Sequence, residues 1–451
     1  MNGLKVTIKT IQLSLPKIGI GWMFALLTSN FNRIAIHDLG VVAVVVTTMI
    51  GLYHFLSPFQ VVFGRMADRY PVFGFRRSPY LLGGLLVSSL VFLALPSVAV
   101  GMGQGSVLAV IAGFVLLILF GVGFAAAGSS HLALIADVTT TRSRGIVVAI
   151  VWTMQIASVI AAAIVMKIMM GDTYSFDSMQ RMYSMTPLIV LSTTILALIG
   201  MERRVTAAEA KTITAQATEA TPDTNIFTAP IELLRSNPIT RLFFAFIMLS
   251  TLGVFLQDTI LEVFGADVLG MNLKQTTSFQ QTWGGGVLLS MIIVGIIIAI
   301  RPFSRHLLAR IGGFGTAAGL LLLTFTAITK QPALMTPTLL VMGVFTGLYT
   351  LGSLSLMMEL QAEGATATYM GLWGMAQALG NGLCAILAGT LHTALIGSHL
   401  LPPAIGFAAI FALEAVLMAA GAVVLGQVSL ASFRKALRGQ DVVRAMELEA
   451  A

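Results

Sequence analysis

Long stretches of this chain carry no charge at all. Val41–Phe63, Tyr80–Val100, Val107–Phe124 and Gly284–Ile300 are each free of Asp, Glu, Lys and Arg. They approach or exceed the ~20 residues an α-helix needs to cross a bilayer. Inside a bilayer every backbone N–H and C=O must find a partner within the protein, so spanning segments are helices or closed barrels. Continuous apolar runs of this length select helices. Composition agrees, with 57% hydrophobic residues, 10% charged residues and a mean hydropathy of +0.92. The single cysteine, Cys384, lies in an apolar run and permits no intramolecular disulfide.

Twelve spans are expected, at 18–37, 41–63, 79–99, 107–134, 146–170, 184–201, 239–257, 278–300, 313–330, 337–358, 368–391 and 403–426. The fourth and fifth are long enough to tilt or to extend past the bilayer. With both termini cytoplasmic, 21 of the 26 Lys and Arg fall in inner segments. An odd number of spans would spoil that positive-inside bias. The net charge of +7 therefore reports orientation and not a nucleic-acid partner. No signal-peptide pattern precedes span 1, which is expected to act as its own insertion signal. Leu4, Ile8, Ile11 and Leu15 recur at helical spacing, and a short amphipathic helix on the membrane surface is expected there.

An internal repeat organises the chain. Asp137 is followed by VTTTRSRGIVVAIVWTMQ and Glu359 by LQAEGATATYMGLWGMAQ, so that Trp152, Met154 and Gln155 match Trp373, Met375 and Gln377. The loop after span 2, GRMADR, corresponds to RPFSRHLLARIG after span 8. Equivalent helices six spans apart run in the same direction, which makes the halves parallel repeats. The expected organisation is a six-helix bundle at 1–201 that includes the amphipathic segment, a cytoplasmic linker at 202–238, a second bundle at 239–428 and a cytoplasmic tail at 429–451. The linker, with TAAEAKTITAQATEATPDTN, is polar and poor in aromatics.

GRMADRYPVFGFRR, residues 64–77, concentrates Arg65, Asp68, Arg69, Arg76 and Arg77 in a chain otherwise poor in charge. Three readings compete: a phosphate or nucleic-acid site, a solvated loop, and a hinge between helices. The stretch resembles the signature of the cytoplasmic loop between spans 2 and 3 in the major facilitator superfamily, lengthened by YPVFGF. In that reading Gly64 permits close helix approach, and Asp68 pairs with Arg69, Arg76 or Arg77 to latch one conformation. The fold implied is all-α and polytopic, with twelve transmembrane helices in two six-helix bundles.

Four stretches are more specific: LLTSNFNRIAIHDLGV (26–41), FGFRRSPYLLGG (73–84), LQDTILEVFGADVLGM (256–271) and YMGLWGMAQALGNG (369–382). Together they resemble the PucC/LhaA family of bacteriochlorophyll-delivery-type major facilitator proteins. FGADV stands where two adjacent glycines are expected, and Val263 where proline is expected. The resemblance implies a non-enzymatic assembly factor for light-harvesting complexes in the cytoplasmic or photosynthetic membrane of a bacterium. Its implied partners are antenna polypeptides and (bacterio)chlorophyll, the latter bound without a covalent link and with no separate metal site. A secondary transporter of a small organic solute and a pigment-free scaffold for antenna polypeptides are the competing functions.

Few ionisable groups lie at mid-membrane, which disfavours proton-coupled symport. Chlorophyll magnesium takes one axial ligand, often a neutral imidazole. His54 and His131 lie within spans 2 and 4 and are the first candidates, with Gln377 and Asn381 of span 11 as alternatives. A histidine hydrogen-bonded to a neighbouring helix is the competing reading for each. Glu414 lies inside span 12, away from an expected central cavity. At the outer end of span 1, Arg33 must snorkel or be paired. His37 and Asp38 are at hand on its own helix. The expected pairing when the outer side is closed is nevertheless across the halves, with Asp258 or Glu262 at the end of span 7.

Overall fold

The apolar runs fold as helices that cross the bilayer and break where the sequence removes or displaces a backbone donor. The computed structural model describes residues 3–139, 141–206, 209, 212, 234–235, 238–300, 303–359 and 366–428. Among these, twelve helices are long and apolar enough to cross a membrane. They are Ile8–Asp38, Ala43–Arg69, Ser78–Gly103, Val107–Val138, Ile150–Met169, Phe176–Leu198, Pro238–Thr259, Leu273–Ile297, Arg305–Thr329, Pro332–Met357, Leu372–Gly397 and Pro403–Gln427. The same twelve spans were expected in the same order. The linker at 202–238 lies mostly outside the described residues, and the tail at 429–451 wholly so.

Spans 1, 2 and 7 are broken or change helix type along their length. Pro16 lacks an N–H and divides the amino-terminal helix Gly3–Ser14 from Pro16–Ala25. Further along span 1 the backbone is π-helical over Leu26–Phe31 and Ile34–Asp38, with Leu39 N donating to Ile34 O at 2.9 Å. Span 2 is α-helical over Ala43–Phe55 and Phe59–Arg69. Between them, Pro58 interrupts the ladder and Ser57 N donates to His54 O at 3.1 Å. Span 7 passes from α-helix at Pro238–Phe255 into a tighter turn at Leu256–Thr259, and the short helix Leu261–Asp267 follows. Glu414 of span 12 is buried there and accepts from the displaced Gln257 N–H at 3.1 Å, a structural use for this carboxylate.

The amino-terminal helix packs on its neighbours through Thr10, Leu13 and Ser14, which are buried. Gln12 Nε2 donates to the carbonyls of Leu196 and Ile199 at 3.0 and 2.7 Å, while Ile8 and Ile11 stay exposed. Small residues set the closest helix crossings. A Cβ on Gly84 of span 3 would lie 2.4 Å from Gly123 O of span 4, and one on Gly312 of span 9 would lie 2.2 Å from Tyr349 N of span 10. Backbones approach closely at both sites because glycine alone fits.

Two compact units result. One comprises Met1–Asp223, Asp258–Gly285 and Ala385–Pro403; the other comprises Thr224–Gln257, Gly286–Cys384 and Ala404–Ala451. The end of span 7, the start of span 8 and the end of span 11 thus group with the first six spans.

Candidate functional site

GRMADR is not loop. It forms the last turns of the helix Phe59–Arg69, with Ala67 buried and the charged residues around it at the protein surface. The turn that follows is closed by Val72 and Phe75, which exchange backbone hydrogen bonds at 2.9 Å. Asp68 Oδ1 accepts from Arg77 Nη2 at 2.5 Å and Arg76 Nη2 at 3.1 Å, and Arg77 Nε also donates to Asp137 Oδ2 at 3.1 Å. Arg69 closes the helix. The role expected of Gly64 does not hold: a Cβ there would meet only Ser129 Cβ, at an ordinary 3.9 Å.

Glu202, at the head of the linker, completes this cluster. Its carboxylate accepts from the N–H groups of Arg76, Arg77 and Ser78 at 2.6, 2.9 and 2.7 Å and from Ser78 Oγ at 2.6 Å. It therefore serves the orphan donors at the start of span 3, where the helix dipole favours an anion. The sequence reading assigned Glu202 to a flexible linker and missed it.

The two candidate histidines differ. His131 is buried, and its Nε2 bonds Leu13 O at 2.7 Å, next to the break made by Pro16. It is spoken for as a helix-to-helix tie. His54 stands at the Pro58 break, its ring 4.0 Å from that of Tyr53, and among the described residues no hydrogen bond reaches its imidazole. Tyr53 in turn meets Phe120 and Phe124 edge-on at 5.2 and 6.0 Å, so one side of this region is aromatic. Gln377 is exposed and Asn381 half-buried, four residues apart on the helix Thr366–His392.

A second missed residue lies one turn into span 1. Lys17 was counted with the solvated charges of the amino tail, yet it is only 9% exposed. Its Nζ donates to Gln155 Oε1 at 2.8 Å and lies 4.6 Å from the centre of the Trp152 ring. Ser158 Oγ donates to Lys17 O at 2.9 Å. Gly21, in the next turn, permits this contact, because a Cβ there would fall 1.9 Å from Ser158 Oγ. The signal in the sequence is PKIGIG, a lysine followed by two glycines at the head of an apolar helix.

At the far end of span 1, Arg33 is 3% exposed and does not snorkel. Its ion pair is with Asp38, Nη1 to Oδ2 at 2.5 Å, and not with Asp258 or Glu262 as expected. The π-helical stretch is the reason: it brings residues five apart onto one face, where an α-helix would separate them. Glu262 is buried nearby and acts on the guanidinium electrostatically, after Asp38. Asp258 instead accepts from Gln280 Nε2 at 3.1 Å. Asn32 Nδ2 donates to Thr259 O at 2.8 Å, and His37 pairs with Asp267, so the polar end of span 1 is tied to 258–267 at several points. Between spans 5 and 6, the Tyr174 phenol is pushed up by burial and by the nearby charge of Asp38.

The comparisons with known proteins agree with this architecture. The family model described as PUCC protein matches residues 30–433. An uncharacterized protein in the puhA-bchM intergenic region of Rhodobacter capsulatus is 29% identical over 92% of this chain and 88% of its own length. The protein named bacteriochlorophyll synthase 44.5 kDa chain, also from Rhodobacter capsulatus, is 28% identical over 91% of this chain and 92% of its own. Protein PucC of Cereibacter sphaeroides is 28% identical over 90% and 89% respectively. Among solved structures, a POT family transporter in complex with a thioalcohol-conjugated peptide superposes with a TM-score of 0.67 at 12% identity, over 94% of this chain and 96% of that one. The inward-open xylose transporter XylE from E. coli gives 0.62 at 14% identity, over 91% and 94%. At such identities the likeness shows the fold, and the fold is that of the major facilitator transporters.

Proposed function

The chain belongs to the PucC family, and on that premise we propose that it is a membrane assembly factor that binds (bacterio)chlorophyll and hands it to light-harvesting antenna polypeptides. Relatives of similar length carry names tied to bacteriochlorophyll and to PucC, which supports a role in the photosynthetic apparatus. In this reading both termini face the cytoplasm, which the distribution of Lys and Arg supports.

The observation that carries the proposal is the imidazole of His54. It stands at a helix break beside Tyr53, and no hydrogen bond among the described residues occupies its nitrogens. A neutral imidazole in such surroundings has one lone pair to offer, and it would hold the magnesium of a tetrapyrrole macrocycle. Tyr53, Phe120 and Phe124 supply apolar ring surface on the same side. The break at Pro58 gives span 2 a place to bend as cargo enters or leaves. His131, bonded to Leu13 O, has a structural duty instead.

Purification from a pigment-making host, followed by an absorption spectrum, tests this directly. The protein is expected to carry pigment, His54→Leu to lose most of it at unchanged protein yield, and His131→Leu to keep it. Wild-type protein without pigment absorbance would overturn the reading.

A further inference from the structure

The motif shared by spans 5 and 11 has no part in the function so far. In span 5 it builds a cation site. The Lys17 ammonium carries three donors. One goes to Gln155 Oε1 at 2.8 Å, and a second direction is taken by the face of Trp152, 4.6 Å away. Neither partner is charged, and among the described residues Lys17 forms no ion pair. A lysine at a bilayer-spanning helix end ordinarily relieves its charge by snorkelling to water. This one is 9% exposed and held by Ser158 and by the close approach at Gly21. A buried cation without a counter-ion is costly, and inside a membrane it marks a binding site by default. Beside it, Trp152 is 45% exposed, leaving ring surface uncovered next to the charge.

We infer that Lys17, Gln155 and Trp152 form a receptor for the carboxylate of a ligand with a flat apolar body. The carboxylate takes the remaining ammonium donor, and the body lies along the free surface of Trp152. This inference rests on the pigment reading and goes beyond it: the Lys17 site takes a free-acid tetrapyrrole, the unesterified form of the pigment, in addition to the esterified (bacterio)chlorophyll proposed for His54. The ester is uncharged where the acid meets Lys17, so it leaves the cation uncompensated.

The test titrates the full-length protein in neutral detergent with a magnesium-free chlorin acid and with its methyl ester, followed by chlorin absorption and tryptophan quenching. Magnesium-free ligands need no axial imidazole, which separates this site from His54. The acid is expected to bind at least about tenfold more tightly than the ester, the scale of one charge-assisted hydrogen bond. Lys17→Gln is expected to erase that preference, so that acid and ester bind with the same affinity. Gln155→Glu keeps the lysine and its packing but supplies a resident counter-ion, and it too is expected to erase the preference, so the test stands even if Lys17→Gln does not accumulate. Equal affinity for acid and ester in the wild type, or a preference that survives both substitutions, would overturn the inference and leave the His54 reading standing. Displacement of the acid by phosphatidylglycerol in mixed micelles, with Lys17-dependent retention of that lipid, would overturn it in favour of a lipid headgroup site. No binding of either chlorin would overturn the inference and leave the His54 reading standing, since that reading needs the magnesium these probes lack.

Discussion

WTMQ in span 5 and WGMAQ in span 11 are the same motif put to opposite uses. Trp152 is 45% exposed and faces a buried ammonium; Trp373 is 0% exposed and meets Phe243 edge-on at 4.7 Å. Trp373 belongs to an apolar cluster with Phe246, Leu372 and Ala376, and Phe243 comes from the RLFFAF stretch of span 7. The partner decides the outcome. Span 1 offers Lys17 to its tryptophan, and span 7 offers Phe243. Gln155 is correspondingly committed to Lys17, whereas Gln377 is exposed. One half has therefore kept the motif as a polar wall, and the other has turned it into core. In a fold of parallel repeats, such asymmetry allows one half to recognise a ligand while the other supplies rigidity.

The largest expected effect separates the two tryptophans. Trp373→Ala removes a fully buried ring and is expected to cost about 3–5 kcal/mol of stability, the range for large core truncations. Trp152→Ala is expected to cost under about 1 kcal/mol, since much of its ring touches no protein. Thermal unfolding of both variants in the same detergent checks this. Equal losses would mean that Trp152 is core as well, and the contrast would collapse.

Buried charge is handled just as differently in the two halves. Arg33 is neutralised by Asp38 along its own helix, while Glu414 accepts the Gln257 N–H through one oxygen. Asp38→Asn strands a buried guanidinium and is expected to cost about 2–3 kcal/mol, below the full penalty for a broken buried pair because Asp38 is partly solvated. Glu414→Gln keeps an acceptor oxygen for the same N–H and is expected to cost under about 1 kcal/mol. Urea or SDS unfolding of the pair measures the difference. Asp258→Asn serves as the control, since its partner is Gln280 and not Arg33. A larger loss in that control than in Asp38→Asn would restore the pairing first expected from the sequence.

What the sequence revealed follows from what sequence can encode locally. All twelve spans were legible, because ~20 apolar residues leave a chain few alternatives in a bilayer. The acid–base pairs around Asp68 were legible as well, since Arg76 and Arg77 lie within a dozen residues of it. Glu202 was not, because it reaches the head of span 3 from more than 120 residues away and sits in a polar segment. Arg33 was assigned the wrong acid because α-helical spacing puts Asp38 on another face, and nothing in TSNFNRIAIHD announces π-helical turns. Lys17 was missed for a different reason. Counting positive charges treats every lysine as solvated, and only packing against span 5 shows that this one is not.

The smallest expected effect is the most direct check on the motif. Gln377 and Gln155 hold matching positions, and the difference between them lies in what their side-chain oxygens accept. Gln155→Ala removes the one oxygen acceptor of a buried ammonium, so the cation loses a hydrogen bond that water cannot easily replace. Gln377→Ala removes an exposed amide with no hydrogen bond among the described residues, and such surface changes fall within about 0.5 kcal/mol. Stability of the ligand-free protein is therefore expected to fall for Gln155→Ala and to stay level for Gln377→Ala. Pigment content sharpens the reading of Gln377. If its side chain ligates magnesium, Gln377→Ala will lower the pigment that co-purifies while stability is unchanged, and His54 will have lost its claim as the principal ligand. If pigment content also stays level, span 11 contributes packing, and the recognition of cargo lies with the first half.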